Sequence, residues 1–239
     1  MRKNSHSSTM FVLVLVIAML ACGSPTFTTT VVTSAPLQTS SNPQPTGNID
    51  LQPAKYASCR DSIDNLWFVG LVLNNGNSDA ENIEVALSLV DSSGNVAAVG
   101  SDSISYISAN NKFPFRALIT NAPKNWKDVK IQIQGSPAGG QTLFPAYLNF
   151  KTDSVTGKVG ILGTYELNGT VLNTGQKTAT LVHVVAAAYD ADGNVTDVGD
   201  TYSTLTDIAP SADSPFSLDF TCVKKEPASY ELYVESLTK

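Results

Sequence analysis

The chain repeats itself, and this feature constrains its fold more than any other. Residues 70–100 align with residues 169–199 at a constant offset of 99, and 13 of these 31 positions are identical. Pro114-Phe115 then matches Pro215-Phe216 at an offset of 101. Two copies of one unit must fold alike, so we place a first repeat at about 51–134 and a second at 142–239.

Each copy has the pattern of β-strands. Apolar residues alternate with polar ones over 5–10 positions, and clusters of Gly, Asn, Asp and Pro separate these runs. The segments 74–77 and 91–95 read Asn-Asn-Gly-Asn and Asp-Ser-Ser-Gly-Asn, which favours hairpin turns. No window carries the apolar stripe of a helix. We therefore expect an all-β fold of two tandem immunoglobulin-like antiparallel β-sandwich domains.

A secretory signal precedes the repeats. Arg2 and Lys3 stand before an uninterrupted apolar run over residues 10–21, which is too short to cross a bilayer core of about 20 residues. Residues 1–21 are therefore expected to be a signal peptide. Its removal leaves 13 basic against 21 acidic residues. Such an acidic protein is not expected to bind nucleic acid.

Cys22 follows this apolar run directly and is itself followed by Gly23. This arrangement resembles the lipobox of bacterial lipoproteins, in which the cysteine after the signal receives a diacylglyceryl group. The resemblance implies a protein attached to a membrane through Cys22. Gly23 is not the aspartate that retains such proteins on the inner membrane, so an outward-facing anchor is expected, on an outer membrane if the cell has one. The alternative is a cleaved signal with a chance cysteine.

Residues 22–50 are expected to form a flexible linker. After Cys22, this segment contains seven Thr, four Ser and four Pro among 28 residues, with a single charge at Asp50. Such a composition cannot build a core. The linker would hold the repeats away from the membrane, with a reach of roughly 30 Å.

The repeats resemble the FxLYD family of small β-sandwich domains, which occur in secreted bacterial proteins and lipoproteins. The resemblance depends on the order of a G-x-V-x-N-x-G strand, a D-x-x-G-N turn and a Pro-Phe pair before the last strand. Residues 87–91 and 186–190 read LSLVD and AAAYD, so neither repeat has the phenylalanine of the family's name. The family has no defined activity, so the resemblance implies a fold and a location only.

Few residues of the chain are candidates for catalysis or metal binding. His183 is the one histidine after the signal, and the alternation of its strand predicts that it points to solvent like its repeat equivalent, Glu84. The turn at Asp190 has the oxygen-rich composition of a calcium loop without its spacing, so a tight turn is the preferred interpretation. We therefore expect no catalytic residue, no metal and no cofactor.

Cys59 and Cys222 are the remaining cysteines. They lie in different repeats, and neither has a cysteine at its repeat equivalent. In an oxidising compartment they either form a disulfide between the repeats or stay as two separate thiols. The sequence leaves this choice open.

The outward faces of the repeats differ in polarity. On the second strand of repeat one, Trp67, Val69 and Leu71 stand where repeat two has polar residues. On the following strand the bias reverses, and repeat two has apolar side chains at positions 185, 187 and 189, namely Val185, Ala187 and Tyr189. Contiguous apolar stripes mark interfaces, so we expect these six residues to form a contact between domains or between copies of the chain. Ligand or partner binding is one alternative, and a wrongly assigned strand register is the other.

The expected function is that of a membrane-anchored, extracytoplasmic, non-catalytic interaction or spacer module with an unknown protein or polysaccharide partner. The alternative is a glycan- or polymer-binding adhesin, which would use Trp67, Trp126 or Tyr189 as stacking platforms. A hydrolase is disfavoured because no nucleophile and base are visible together.

Overall fold

The computed structural model describes residues 47–139, 146–161, 163–223 and 225–238. Every regular element in these ranges is a β-strand, all strand pairs are antiparallel, and none of the described residues is helical. The expected all-β, antiparallel fold is confirmed. Within the described ranges, no helix is long and apolar enough to span a bilayer.

The first repeat contains six strands. They are β1 (Leu51–Arg60), β2 (Leu66–Asn74), β3 (Ala80–Val90), β4 (Val96–Ile107), β5 (Asn111–Ile119) and β6 (Asp128–Pro137). The order of pairing is β1-β2-β5-β4-β3-β6. Only the pair Ser101–Leu118 joins β4 to β5, so β1-β2-β5 and β4-β3-β6 behave as two layers connected at one point.

The second repeat contains the remaining strands. They are β7 (Ala146–Tyr147), β8 (Phe150–Val159), β9 (Tyr165–Asn173), β10 (Ala179–Tyr189), β11 (Val195–Tyr202), β12 (Asp207–Ile208), β13 (Asp213–Phe220) and β14 (Ser229–Thr238). One sheet has the order β8-β9-β13 and the other β11-β10-β14-β7, with β12 also paired to β10. These layers correspond to those of the first repeat, because β8, β9 and β10 follow β1, β2 and β3 at the offset of 99.

The shared glycine and phenylalanine of the repeats form a cross-strand pair. Gly70 is in register with Phe115, and Gly169 is in register with Phe216. A Cβ atom on Gly70 would come within 2.7 Å of the Phe115 ring, and one on Gly169 within 2.9 Å of the Phe216 ring. Both phenylalanines are buried. The glycines are therefore needed because each ring packs against the opposite backbone where a side chain would stand.

The shared asparagine closes one end of each repeat. Asn74 is fully buried, donates through Nδ2 to the carbonyl oxygens of Ser78 and Ile107, and accepts the Gly76 amide at 3.1 Å. Asn173 makes the equivalent bonds to Lys177, Ile208 and Gly175. The Asn-x-Gly motif thus satisfies buried backbone groups where the chain crosses between layers.

The shared aspartate forms the turn after β3 and β10. Asp91 Oδ1 accepts the amides of Ser93 and Asn95, at 2.8 and 3.0 Å. Asp190 Oδ1 accepts the amides of Asp192 and Asn194 in the same way. These carboxylates are occupied by backbone donors, as an Asx turn requires, and bonds to Asn194 are the main cause that lowers the pKa of Asp190.

Each repeat has its own core, which the alternation of its strands defines. The inward residues of β3 (Ile83, Val85, Leu87, Leu89) and of β10 (Val182, Val184, Ala186, Ala188) are all at most 1% exposed. On the opposite layer, Phe68 and Phe115 complete the first core, and Phe216 and Phe220 complete the second.

The expected linker borders the first repeat. Residues 47–50, which the sequence assigns to the linker, contact the turn between β2 and β3: Asp50 accepts the Asn75 amide at 2.8 Å, and Asn48 accepts that of Ser78 at 3.2 Å. The expected signal peptide, Cys22 and the rest of the linker lie outside the described residues.

Candidate functional site

The outward apolar stripes of the two repeats lie against each other. Val69 and Leu71 on β2 are 0% and 5% exposed, although they point away from the core of their own repeat. They belong to one buried cluster with side chains of the second repeat, namely Val185, Ala187, Tyr189, Val195 and Val198. We call this contact the seam. It covers the surfaces that the sequence comparison singled out, and water is excluded from them.

Trp67 lies at the border of the seam and is half-buried. Its Nε1 donates to Asp61 Oδ2 at 3.0 Å, and the Arg116 guanidinium lies 4.1 Å from the ring centroid. The bond from Trp67 is the main cause that lowers the pKa of Asp61 to about 2. The ring is thus held on its edge by a carboxylate and on its face by a cation.

Arg116 crosses the seam from β5. Its Nη1 lies 3.0 Å from Asp200 Oδ1 on β11, and its Nη2 donates to Thr221 Oγ1 at 2.5 Å. Its backbone amide donates to Asp102 Oδ2, at 2.6 Å. Burial is the main cause that raises the pKa of Asp102. Arg116 therefore connects the repeats through one side chain and is a stacking partner of Trp67 as well.

A second ion pair crosses the seam near Tyr189. Lys112 Nζ on β5 lies 2.7 Å from Glu231 Oε2 on β14, and the same oxygen accepts the hydroxyls of Tyr189 and Tyr233 at 2.8 and 2.7 Å. Burial and the bond to Glu231 raise the pKa of Tyr189 to about 12. Tyr189 therefore contributes its ring to the apolar cluster and its hydroxyl to this polar group.

The structure joins Cys59 and Cys222 in a disulfide across the seam, with their Cα atoms 6.0 Å apart. Asp197 on β11 holds the segment of Cys222 in place. It is fully buried and accepts the amides of Cys222 and Val223, at 2.5 and 3.0 Å. A further contact links Lys55 Nζ to the Gly193 carbonyl at 2.8 Å. The two cysteines that the sequence left open thus lie side by side.

His183 lies on the outward side of β10, as strand alternation predicts, but its side chain is only 24% exposed because it is engaged by neighbouring groups. Its Nε2 lies 3.3 Å from Asp200 Oδ2 and its Nδ1 lies 3.5 Å from Glu235 Oε1, and its ring stacks on that of Tyr202. These three partners all belong to the second repeat, on β11 and β14. Burial lowers the pKa of His183, but the bonds to Asp200 and Glu235 outweigh it and raise the value to about 9.

His183 and Glu235 line a cleft of about 630 Å³ where β3 and β4 of the first repeat face β10, β11 and β14 of the second. The first repeat contributes Glu81, Glu84 and Tyr106 to its walls. Among the described residues, no three His, Cys, Asp or Glu side chains come together as metal ligands. Residues of both repeats line the cleft, so it depends on how the repeats dock.

The aromatic rings expected to stack on glycans are engaged within the protein. Tyr189 is 8% exposed. Trp67 is covered on one face by Arg116, and Trp126 packs on Phe68 with ring centroids 5.8 Å apart. These three rings do not form an open platform.

Sequence reasoning missed Arg116, Asp200 and Glu235. A signal for them exists in the repeat alignment, where Arg116 and Asp200 stand opposite Ser217 and Ser101. Each of these charges appears in one repeat alone, and neither its own strand nor its repeat equivalent indicates its partner.

Comparisons with known proteins do not assign the chain to a family. No family model and no curated protein matches the chain. Red sea bream transglutaminase is a solved structure with some likeness, at 11% sequence identity and a TM-score of 0.24. The match covers 80% of this chain and spans 29% of that transglutaminase, and a likeness of this size carries no argument about fold or activity.

Proposed function

We propose that the protein is a lipid-anchored, extracytoplasmic module in which two β repeats act as one non-catalytic interaction or spacer body. The observation that carries this proposal is the seam. Its apolar cluster, two ion pairs and one disulfide connect the repeats at several separate points. A body connected in this way keeps a fixed length and presents a fixed surface, which suits a spacer or a docking platform.

The disulfide supports the location. Disulfides form and persist in oxidising compartments and are rare in the cytosol. A cysteine pair joined between two repeats is consistent with export by the signal at residues 1–21. The lipobox-like Cys22 supports attachment to a membrane, since two or three acyl chains hold a protein stably where one does not.

The protonation state of His183 supports a role without catalysis. A histidine acts as a general base only when one ring nitrogen is unprotonated. With a pKa of about 9, His183 is a cation at neutral pH, and both of its nitrogens face carboxylates. It therefore holds Asp200 and Glu235 together and is not available to activate a nucleophile.

Membrane fractionation of a Cys22→Ser variant tests the anchor. We expect the full chain in the membrane fraction and the variant in the soluble fraction, and we expect globomycin to cause accumulation of the unprocessed chain. Cys59→Ser is the matched control, because it removes a cysteine outside the lipobox and should stay with the membrane. Membrane retention of Cys22→Ser at the level of the unaltered chain would refute the anchor.

A further inference from the structure

Two equivalent irregularities shape the cleft. Asn82 on β3 and Leu181 on β10 are 99 residues apart, and both have a positive φ, of 52° and 53°. At these points the register shifts between β3 and β6 and between β10 and β14. Both residues line the cleft. Bulges of this kind redirect neighbouring side chains and are frequent beside binding sites.

The walls of the cleft carry an excess of negative charge. Glu235 lines the cleft and is paired through Oε1 with His183. Glu81 and Glu84, on the facing wall, make no ion pair with any of the described residues. Two carboxylates of the first repeat therefore face the cleft without a compensating cation.

Glu235 gives an independent indication of a ligand. Its residue is 6% exposed, and its Oε2 has no hydrogen-bond partner among the described residues. A buried carboxylate oxygen without a donor is costly, because it has lost its bonds to water and gained none in return. Glu235 is part of the cleft lining, and rotation of its carboxylate would bring this buried oxygen to a donor bound there.

We propose that the cleft binds an organic cation that carries an ammonium or guanidinium group. Such a group brings several N–H donors and a positive charge, which match the carboxylates of the cleft lining. Tyr106 and Tyr202 add aromatic faces, on which organic cations bind. A metal ion is a poorer fit, since the described carboxylates do not converge as metal ligands.

This inference rests on the proposed function and names the chemistry that the interaction module would recognise. The cation has two sources, a lysine or arginine side chain of a partner protein or a free small amine. Both offer the same group to the cleft, so the probes of the experiment must distinguish them.

Isothermal titration of the full chain in a neutral detergent at pH 7 tests the inference. The probes are agmatine, cadaverine, the terminally blocked peptide N-acetyl-Gly-Lys-Gly-amide and the same blocked peptide acetylated on its lysine side chain. We expect binding of at least one charged probe and none of the acetylated peptide. Binding of the peptide alone would assign the cation to a protein side chain, whereas equal or tighter binding of the small amines would assign it to a free amine.

Carboxylate variants locate the site. Glu84→Gln removes an exposed carboxylate and is expected to weaken binding about tenfold, the loss of one charge-assisted bond. Glu235→Gln keeps the side-chain shape and is expected to weaken binding at least as much. The matched control is Asp213→Asn, which removes an exposed carboxylate of β13 outside the cleft lining and should leave binding unchanged.

Three outcomes would overturn the inference: no binding of any charged probe, equal binding of the acetylated peptide, or equal weakening by Asp213→Asn and Glu84→Gln. Titration does not depend on Cys22, and fractionation does not depend on the cleft. The failure of the cation site and the failure of the anchor are thus separate results.

Discussion

Replacement of Val69 by alanine measures how much the seam contributes to folding. Val69 is fully buried, and its side chain points out of the first repeat, so the second repeat supplies its cover. The change removes two methyl groups at ~0.8 kcal/mol each, and the cavity left behind adds up to ~1 kcal/mol. We therefore expect a loss of about 2 kcal/mol in the free energy of unfolding. For a folded body of this size, that loss corresponds to a melting temperature lowered by about 4–8 °C.

Val99→Ala is the matched control. Val99 lies on β4 of the same repeat and is 65% exposed, so the same two methyl groups leave water-facing surface. We expect its free energy of unfolding to stay within about 0.5 kcal/mol of the unaltered chain. Thermal unfolding followed by circular dichroism measures both variants. A Val69→Ala protein that melts within about 1 °C of the unaltered chain would show that the seam does not contribute to folding.

Three further changes probe the contacts around the seam and in the cores. Replacement of Cys59 and Cys222 together by serine should lower the free energy of unfolding by about 5 kcal/mol, because the disulfide closes a loop with a sequence separation of 163. Two free thiols at these positions in the unreduced, denatured chain would contradict the disulfide. The pKa of His183 is raised to about 9 when folded, against about 6.5 when unfolded, so its contribution is complete below about pH 6.5 and is lost as pH rises through about 9. The difference in melting temperature between the unaltered chain and His183→Gln should therefore shrink between about pH 7 and pH 10, and a difference independent of pH would refute the charged pair. Asn74→Ala should cost about 2–3 kcal/mol in urea unfolding, because it leaves buried backbone groups without partners; a cost below about 0.5 kcal/mol would show that water replaces the side chain.

Much of each repeat could be predicted from the sequence because the determinants are local. Alternation with a period of two assigns Val85 and Val184 to the cores, and both are fully buried. Gly70 and Phe115 recur in both repeats, but their pairing across neighbouring strands is known only from the structure. The immunoglobulin-like assignment and the FxLYD resemblance stay predictions.

Only part of the candidate site could be predicted from the sequence. The stripes that contain Val69 and Val185 were found because one repeat is apolar where the other is polar. The surroundings of His183 were not found, since a strand pattern distinguishes two faces but does not say what covers the outer one. Arg116 and Asp200 lie 84 residues apart in the chain, and nothing in either neighbourhood predicts that they meet.

The sequence alone determined the repeat, the strands, the turns and the inward faces, because each of these follows from a backbone period or from a glycine, asparagine or aspartate at one position. The tertiary structure alone decided which outward faces meet, and with them the disulfide, the two ion pairs and the cleft. The reason is physical: docking of the repeats depends on the summed shape and charge of two faces far apart in the chain, and no local pattern encodes that sum.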